Sequence, residues 1–283
     1  MTVAYQGVAG AYSEAAAAAL FPNDALVQHR TFADVFAALE AAAVHAAVVP
    51  VENTHAGAVA DIYDLLRAHP KSRIVAEAVV RVRHCLLGVP GASLEAVRVA
   101  RSHPQALAQS EEFLATHRIE AQAAYDTAGA AMEVAARADP TVAAIASRRA
   151  ASRYGLSVLA EGIETSADNF TRFFALARDT APGIAPAHLA GRPKTSLVYT
   201  TKNQPGALVR SLEPFANAAL QLTKIESRPS RAAAWEYVFY LDFEGDPAAG
   251  PGHDAIEHMR ASCEWIQILG TYPAAGAVLD PDG

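Results

Sequence analysis

The chain is 283 residues long, and 52% of its residues are hydrophobic and 19% charged. This length predicts about two domains, with enough apolar residues to bury a sizeable core. The formal net charge of −7 argues against nucleic acid and anionic membranes as partners. A small anionic ligand stays open, because a few local arginines can dominate one pocket.

The cysteines, the histidines and the N-terminal sequence restrict the class of protein further. Cys85 and Cys263 are far apart and the 10 histidines are scattered, so we expect neither a disulfide framework nor a metal site. Residues 1–7 lack the basic and apolar regions of a signal peptide, and the apolar run 15–21 is too short to span a membrane. We therefore expect a cytoplasmic protein.

Residues 1 to about 160 alternate short apolar strands with Ala-rich helices. The predicted strands cover residues 3–6, 46–51, 98–101 and 142–147. The predicted helices cover residues 13–21, 32–43, 60–68, 105–117 and 128–137. Such alternation predicts βαβ units and a largely parallel sheet covered on both faces.

A long β-rich run at residues 72–88 contains no helix. A strand of that length can leave one sheet and enter another, so we predict two lobes. The first lobe is predicted at residues 1–76 plus 160–178 and the second at 77–159, with the chain returning through 158–176. Clefts between lobes are where small ligands bind.

The C-terminal part begins after a Pro- and Gly-rich linker at residues 179–194. Strands are predicted at 195–201, 220–228, 236–243 and 265–270, and helices at 207–216 and 254–262. This βαββαβ order predicts a small α+β sandwich over residues 195–272. We expect the Gly-, Pro- and Asp-rich tail at 273–283 to fray.

Small or hydrogen-bonding residues occupy the junctions between strands and helices of the first domain. These junctions lie at residues 6–14, 50–57, 102–105 and 126–129. Helix capping alone explains each of them. In a parallel α/β sheet, however, the carboxyl ends of the strands converge on one crevice, where helix N-termini and hydroxyls bind anions without lysine.

Nucleotide-binding motifs are absent from the glycine loop. Gly7 and Gly10 lack the G-x-G-x-x-G spacing, and no Gly-Lys-Ser/Thr follows them. Residue types leave a Ser-His-Asp triad open, but no nucleophile elbow is present. The remaining interpretation is a cofactor-free cleft suited to a small carboxylate.

The segment 168–174 sets a hydroxyl and a guanidinium side by side among aromatic residues. The apolar run 173–177 reads as a buried strand, so Thr171 and Arg172 fall at its entrance. An arginine there is a fixed fork for a carboxylate, and the threonine beside it is a fixed donor. The alternative is a strand start that carries two polar residues.

Together, these segments resemble the successive sequence blocks of the prephenate dehydratase family. The blocks are residues 6–7 with 10–14, 50–53, 103–107, 126–128 and 169–173. Beyond the linker, Pro-Gly-Ala-Leu at 205–208 and Glu-Ser-Arg-Pro at 226–229 resemble the two phenylalanine-binding motifs of its ACT regulatory domain. The resemblance covers nearly the whole chain in order, and one departure is Thr54, where the family often has serine.

The resemblance implies a two-lobed, periplasmic-binding-protein-like α/β catalytic domain over residues 1–178, followed by an ACT domain. It implies a cofactor-free carbon–oxygen lyase that converts prephenate to phenylpyruvate, carbon dioxide and water in phenylalanine biosynthesis. It further implies feedback regulation by L-phenylalanine and a homo-oligomer, a dimer or tetramer. No chorismate mutase helices precede residue 1, so we expect a monofunctional enzyme.

For the catalytic site, the resemblance makes Thr171 essential, and we assign it to the departing ring hydroxyl. Arg172 is predicted to clamp the pyruvyl carboxylate, and Asn53 is also predicted to be a catalytic residue. Glu52 is a candidate proton donor, or it braces the loop of Asn53. The predicted substrate-contacting residues are Ser13, Gly10, Thr54, Gln105, Thr127, Asn169 and Phe173.

The regulatory site is implied to lie between the ACT domains of two subunits. Its predicted residues are Gly206, Ala207, Leu208, Glu226, Ser227 and Arg228. One alternative to the overall prediction is a dehydratase that prefers arogenate, the amino analogue. Another is a non-catalytic protein that binds a small carboxylate, which would predict a signal peptide and no regulatory domain.

Overall fold

The computed structural model describes residues 1–179, 184, 186–187, 191–230 and 236–281. Half of the predicted linker at 179–194 therefore lies outside the described residues. Within the described part, the strands form sheets of seven, five and four strands. The first two sheets belong to the two lobes of the N-terminal domain, and the third belongs to the C-terminal domain.

The elements are numbered in chain order. Those of the N-terminal domain are β1 (Thr2–Gln6), α1 (Tyr12–Leu20), β2 (Ala25–His29), α2 (Phe32–Glu40), β3 (Ala46–Asn53), β4 (Gly57–Ala58), α3 (Ala60–Ala68), β5 (Ser72–Arg81), β6 (Cys85–Gly88), β7 (Val99–Ser102), α4 (Pro104–Gln109), α5 (Glu111–His117), β8 (Glu120–Ala123), α6 (Thr127–Arg137), β9 (Val142–Ala146), α7 (Arg148–Tyr154), β10 (Ser157–Glu161) and β11 (Phe170–Arg178). Those that follow are β12 (Pro193–Thr201), α8 (Ala207–Asn217), β13 (Leu222–Pro229), β14 (Tyr237–Glu244), α9 (Gly250–Arg260), β15 (Cys263–Pro273) and β16 (Val278–Leu279).

The first lobe is built on a sheet with strand order β16-β5-β11-β3-β1-β2, and β4 pairs with β3. Strands β1, β2 and β3 are parallel, whereas β11 is antiparallel to both β3 and β5. The second lobe has the order β10-β6-β9-β7-β8, with β7 parallel to β8 and β9. The predicted two-lobed α/β fold class is confirmed, but the sheets are mixed rather than largely parallel, since β6 is antiparallel to both β9 and β10 and β11 is antiparallel to its neighbours.

Two short crossovers join the lobes, at residues 82–84 and 162–169. The predicted lobe boundary after residue 76 falls inside β5, because pairing with β11 keeps this strand in the first sheet as far as Arg81. The predicted boundary at residue 160 likewise falls inside β10, which pairs with β6 of the second sheet through Glu161. The chain thus changes lobes slightly later than expected each time.

Several elements differ from the sequence prediction. Strands β2 and β8 lie at sheet edges and are largely exposed, so their sequences carry no hydrophobic alternation. The single helix predicted at 105–117 is two helices, α4 and α5, which meet at Ser110. Within the described residues, no helix is long and apolar enough to cross a membrane.

The C-terminal domain is an antiparallel sheet, β13-β14-β12-β15, with α8 and α9 on one face. Its other face packs on the first lobe, and the apolar residues that it contributes to the shared core are Val198, Val238, Tyr240, Leu269 and Tyr272. At Gly270 the two sheets approach so closely that a Cβ would overlap the carbonyl oxygen of Ile74. That this sandwich is an ACT domain stays a prediction of the resemblance.

The C-terminal tail is ordered as far as β16, so the expectation that it frays is wrong there. Val278 and Leu279 pair in parallel with Val79 and Val80 of β5. The backbone N–H of Ala275 also donates to Glu77 Oε1 at 2.9 Å. The tail adds a strand to the first sheet because β5 would otherwise leave its hydrogen-bonding groups unpaired at the sheet edge.

Candidate active site

A cavity of about 310 Å³ lies between the two lobes. Polar residues from all four strand-to-helix junctions line it, among them Ser13 of α1, Asn53 at the end of β3, Gln105 of α4 and Thr127 of α6. Thr171 of β11 completes this set. The structure therefore brings together, in one cleft, polar side chains from four widely separated segments and the return strand.

The two faces of β11 have different surroundings. Thr171 and Phe173 line the cleft, whereas Arg172 points to the opposite side, as the alternation of a strand requires. The pairing of β11 with β3 shifts between Arg172 and Phe173, leaving Val51 as a bulge. Bulges re-aim side chains next to active sites. Here the bulge places Pro50 and Phe173 opposite one another in the cleft wall.

The orientation of the Asn53 side chain is fixed by backbone donors. Asn53 Oδ1 accepts hydrogen bonds from the N–H groups of His55 and Ala56, each at 3.0 Å. A backbone N–H can only donate, so this end of the amide is the oxygen. Asn53 Nδ2 therefore faces three acceptors, Asn169 Oδ1 at 2.8 Å, Thr171 Oγ1 at 3.0 Å and the carbonyl oxygen of Phe170 at 3.0 Å, and its two hydrogens are donated among them.

This arrangement sets the role of the Thr171 hydroxyl. Because Thr171 Oγ1 accepts from Asn53 Nδ2, its own hydrogen is available to donate. Thr171 lies in the cleft wall, so this hydrogen is within reach of a group bound in the cleft.

A chain of amides carries the same orientation to a buried histidine. Asn169 accepts at Oδ1, so its Nδ2 donates to Gln109 Oε1 at 3.0 Å. Gln109 Oε1 then also accepts from His84 Nε2 at 2.8 Å, which makes Nε2 the protonated nitrogen of His84. Burial lowers the pKa of His84, although its hydrogen bond to Gln109 and the charge of Glu164 oppose the shift.

His84 and Gln109 line the cleft and were missed in the sequence analysis. Gln109 follows Gln105 by one helical turn, so the spacing of α4 could have identified it. His84 lies in the crossover between β5 and β6, where neither periodicity nor a helix start marks it. Its Nδ1 is buried without a hydrogen-bond partner among the described residues.

Two predicted substrate-contacting residues fasten segments together instead. Thr54 Oγ1 donates to the carbonyl of Asp168 at 2.8 Å and accepts from the N–H of Phe170 at 3.0 Å. Thr54 thereby ties the end of β3 to the start of β11, and it does not line the cleft. Asn169 is fully buried and acts within the amide chain described above.

Gly10 is likewise a contact between the lobes rather than a residue of the cleft wall. Its carbonyl accepts from Ser147 Oγ at 2.8 Å. Its φ is +91°, and a Cβ at this position would come within 2.9 Å of Ala150 Cα. Only glycine combines this backbone conformation with so close an approach to the second lobe.

The prediction that Arg172 clamps a substrate carboxylate is contradicted by the structure. Arg172 NH1 donates to Asp242 Oδ2 and Nε donates to Glu77 Oε2, each at 2.6 Å. Asp242 belongs to the C-terminal sandwich, so the guanidinium points away from the cleft and is already paired. The physical reason is strand alternation, since Thr171 occupies the cleft side of β11.

Glu52 shares the side of Arg172. Its carboxylate lies 3.2 Å from Lys224 Nζ and 3.8 Å from Arg172 NH1. Because Glu52 does not line the cleft, its placement argues against a role as proton donor. The alternative that we kept open, a bracing role next to Asn53, agrees with these contacts.

The cleft has an unusual charge distribution for an anion site. Among the described residues that line it, Asp126 is the one carboxylate, and neither lysine nor arginine is present. Helix α1 starts at Tyr12 in the cleft wall, and no side chain caps its first turn. The N-terminus of α1 gives this wall a partial positive charge, which the carboxylate of Glu14 in the same turn, bonded to the N–H of Gly10 at 2.7 Å, partly offsets.

A second cavity, of about 280 Å³, lies in the C-terminal sandwich. Gly206, Ala207 and Leu208 line it, as predicted for the regulatory site, but Glu226, Ser227 and Arg228 do not. The list of these six is thus divided between a cavity and the edge strand β13.

The β13 residues of the predicted regulatory site face two directions. Arg228 pairs with Asp64 of α3 in the first lobe at 3.6 Å, and Glu226 lies on the same face of β13. Ser227 pairs with Phe239, which lines the second cavity. Ser227 is therefore the one of the three whose cross-strand partner lines that cavity.

Comparison with known proteins decides the family. The sequence model of prephenate dehydratase matches residues 3–181. This chain belongs to the prephenate dehydratase family. Members of this family are lyases, and the predicted enzyme class is thereby confirmed.

The curated relatives include enzymes named for two substrates. Arogenate dehydratase/prephenate dehydratase 2 of Arabidopsis thaliana is 40% identical to this chain. The match covers 98% of this chain and 74% of the length of that relative. Arogenate dehydratase 2 of Petunia hybrida is 39% identical over 98% of this chain and 73% of its own length.

Solved structures share the whole architecture. Prephenate dehydratase from Arthrobacter aurescens, solved in complex with L-Phe, is 28% identical, with a TM-score of 0.86 over 99% of this chain and 93% of that one. A structure described as GqqA, a novel type of quorum quenching acylase, is 34% identical, with a TM-score of 0.87 over 97% of this chain and 98% of that one.

Proposed function

We propose that this enzyme is a prephenate dehydratase, which converts prephenate to phenylpyruvate, carbon dioxide and water. The observation that carries the proposal is the hydrogen bond from Asn53 Nδ2 to Thr171 Oγ1. It makes the Thr171 hydroxyl a donor into the cleft, which is what departure of the ring hydroxyl of prephenate requires.

The chemistry fits a cleft without an electron-sink cofactor. When the ring carboxylate leaves as carbon dioxide, its bonding electrons complete the aromatic ring, and the ring C–O bond breaks with its electrons going to the departing hydroxide. Aromatisation drives the reaction, so the demanding step is the departure of that hydroxide. A threonine hydroxyl is a weak acid, so Thr171 assists by donating a hydrogen bond.

Binding of the pyruvyl carboxylate of the substrate is assigned to the first turn of α1. The N–H groups of Tyr12 and Ser13 belong to this turn at the cleft wall, and the Ser13 hydroxyl adds a donor. Removal of water from the cleft strengthens these interactions and leaves the ring carboxylate poorly solvated, which favours its loss.

A second candidate function is dehydration of arogenate, in which an ammonium group replaces the keto group of prephenate. Two observations favour it. The Petunia hybrida relative is named arogenate dehydratase. In addition, the cleft contains Asp126, whose carboxylate at the start of α6 could pair with an ammonium group.

Regulation by L-phenylalanine and assembly into a homo-oligomer are also part of the proposal. The cavity at Gly206, Ala207 and Leu208 is large enough for an amino acid, and its N-terminal helix turn suits a carboxylate. The Arthrobacter aurescens relative was solved with L-Phe. Such a ligand affects the distant cleft only if it prefers one of two states of the protein.

The deciding experiment is a comparison of prephenate and arogenate as substrates of the purified full-length protein, with and without L-phenylalanine. We expect phenylpyruvate from prephenate, and a lower rate when phenylalanine is added. Asp126→Asn should reduce activity on arogenate more than on prephenate if the second candidate is correct. No product from either substrate would refute the proposed function.

A further inference from the structure

A buried ion cluster joins the strand that carries Thr171 to the C-terminal sandwich. Arg172 NH1 donates to Asp242 Oδ2 at 2.6 Å, and Arg172 NH2 donates to the hydroxyl of Tyr272 at 3.1 Å. On the side of the first lobe, Glu77 lies 2.5 Å from Arg172 NH2. The Arg172 guanidinium is therefore paired with side chains of both domains.

Asp242 is itself held rigidly within the sandwich. Asp242 is only 3% exposed, and its Oδ1 accepts a hydrogen bond from Ser196 Oγ at 2.6 Å. Ser196 Oγ also lies 2.6 Å from the Tyr272 hydroxyl. Both carboxylate oxygens of Asp242 are thus engaged, and its position follows that of strands β12, β14 and β15.

The cluster is neutral only when both domains contribute. The members from the first lobe are Arg172, Glu52 and Glu77, and those from the sandwich are Asp242, Lys194 and Lys224. The first set has one excess negative charge and the second has one excess positive charge. Removing one partner from such a buried set leaves an uncompensated charge.

Arg172 transmits its position directly to the cleft. In the sheet, Thr171 pairs with Asn53 and Arg172 pairs with Glu52, so consecutive residues of β11 face the cleft and the ion cluster. A shift of Arg172 along or out of the sheet would move the Thr171 hydroxyl relative to Asn53 Nδ2. A displacement of about 1 Å at a reacting group can cost on the order of 10²-fold in rate.

We propose that Asp242 is a positioning residue for the reaction in the opposite domain, because it holds Arg172 and thereby fixes Thr171 in the cleft. This inference rests on the proposed function, in which Thr171 assists the departing hydroxyl. It gives the sandwich a part in turnover that does not require a bound effector.

The first test compares Asp242→Asn with Asp64→Asn in the full-length enzyme. Asp64 pairs with Arg228 across the same domain interface but on α3, away from β11. We expect Asp242→Asn to lower kcat roughly 10-fold or more with KM changed less than about threefold. Asp64→Asn should keep kcat at the wild-type value. Equal kcat values for wild type and Asp242→Asn would overturn the inference.

A double-mutant cycle separates positioning from a merely structural role. If Asp242 acts through Arg172, then Asp242→Asn should reduce kcat no further in an Arg172→Gln background. Should each change lower kcat independently and multiplicatively, Asp242 does not act through Arg172 and the inference fails. If Asp242→Asn does not fold, Ser196→Ala replaces it, since Ser196 holds Asp242 Oδ1.

Hydrogen exchange provides a readout that does not depend on dehydratase activity. Peptides from β11 should exchange faster in Asp242→Asn than in wild type, and those from Asp64→Asn should not. If the wild-type protein has no dehydratase activity, faster exchange in β11 supports the Asp242–Arg172 coupling while the proposed function fails. Unchanged exchange in β11 would overturn the coupling in either case.

Discussion

Asn53 donates a hydrogen bond to Thr171, and its direction is fixed from outside the cleft. The amide oxygen of Asn53 is occupied by the N–H groups of His55 and Ala56, so its nitrogen must face Thr171 Oγ1, 3.0 Å away. The turn after β3 therefore determines which way the Thr171 hydroxyl points.

Thr171→Ala should lower kcat by roughly 10²- to 10⁴-fold and leave KM nearly unchanged, because a donor used only as the C–O bond breaks is lost. Thr171→Ser keeps the hydroxyl and should recover much of the rate. Steady-state kinetics with prephenate provides the measurement. Full activity of the alanine variant would remove Thr171 from the mechanism.

Asn53→Asp tests the direction of the hydrogen bond without changing the shape of the side chain. A carboxylate can only accept, so Thr171 would donate to Asp at this position and no longer to the substrate. We expect kcat to fall roughly 10- to 10³-fold. Asn217→Asp, at the exposed end of α8, is the matched control and should leave kcat unchanged. Wild-type kcat in Asn53→Asp would contradict the assigned direction.

His84 should make stability depend on pH. Burial lowers the pKa of its imidazole below the ordinary value of 6.5, so the folded chain binds fewer protons than the unfolded chain as pH falls below 6.5. The free energy of unfolding should therefore decrease toward acid. Urea unfolding at several pH values checks this, and His84→Gln should flatten the decrease. An equally steep decrease in His84→Gln would contradict this assignment.

Gly10→Ala should destabilise the contact between the lobes. Both Gly10 and Gly155 have positive φ, +91° and +68°, so alanine at either position costs about 1 to 2 kcal/mol for the backbone. Only at Gly10 does the added Cβ also meet Ala150. We expect Gly10→Ala to cost about 1 to 3 kcal/mol more than Gly155→Ala in urea unfolding. Equal losses of unfolding free energy in the two variants would mean that the lobes separate easily at Gly10.

Much of the fold could be predicted because burial leaves a periodic signal in the sequence. The predicted helix at 60–68 matches α3, and the order of elements in the C-terminal sandwich matches that observed. Exposed edge strands such as β2 leave no such signal, since their side chains need not alternate. The tail strand β16 was missed because two residues carry too little pattern.

The candidate site was predicted at the level of segments rather than side chains. Parallel topology predicted that the junctions at 6–14, 102–105 and 126–129 would share a crevice, and the family resemblance named Ser13, Gln105 and Thr127 within them. The prediction for Arg172 was wrong because Arg172 was placed in the cleft with its neighbour Thr171, whereas consecutive residues of a strand face opposite sides. His84 joins the site through two amides from distant segments, and no local pattern encodes such a chain.

The two residues of β16 change how the molecule can be divided. The chain crosses into the sandwich and then returns, so its last strand completes the first sheet beside β5. A fragment ending at residue 178 would lose this strand and the apolar residues Tyr240 and Tyr272 that cover the core of the first lobe. It would present a bare sheet edge next to an uncovered apolar patch, a surface on which chains associate. The unit that folds is therefore longer than the segment that carries the chemistry.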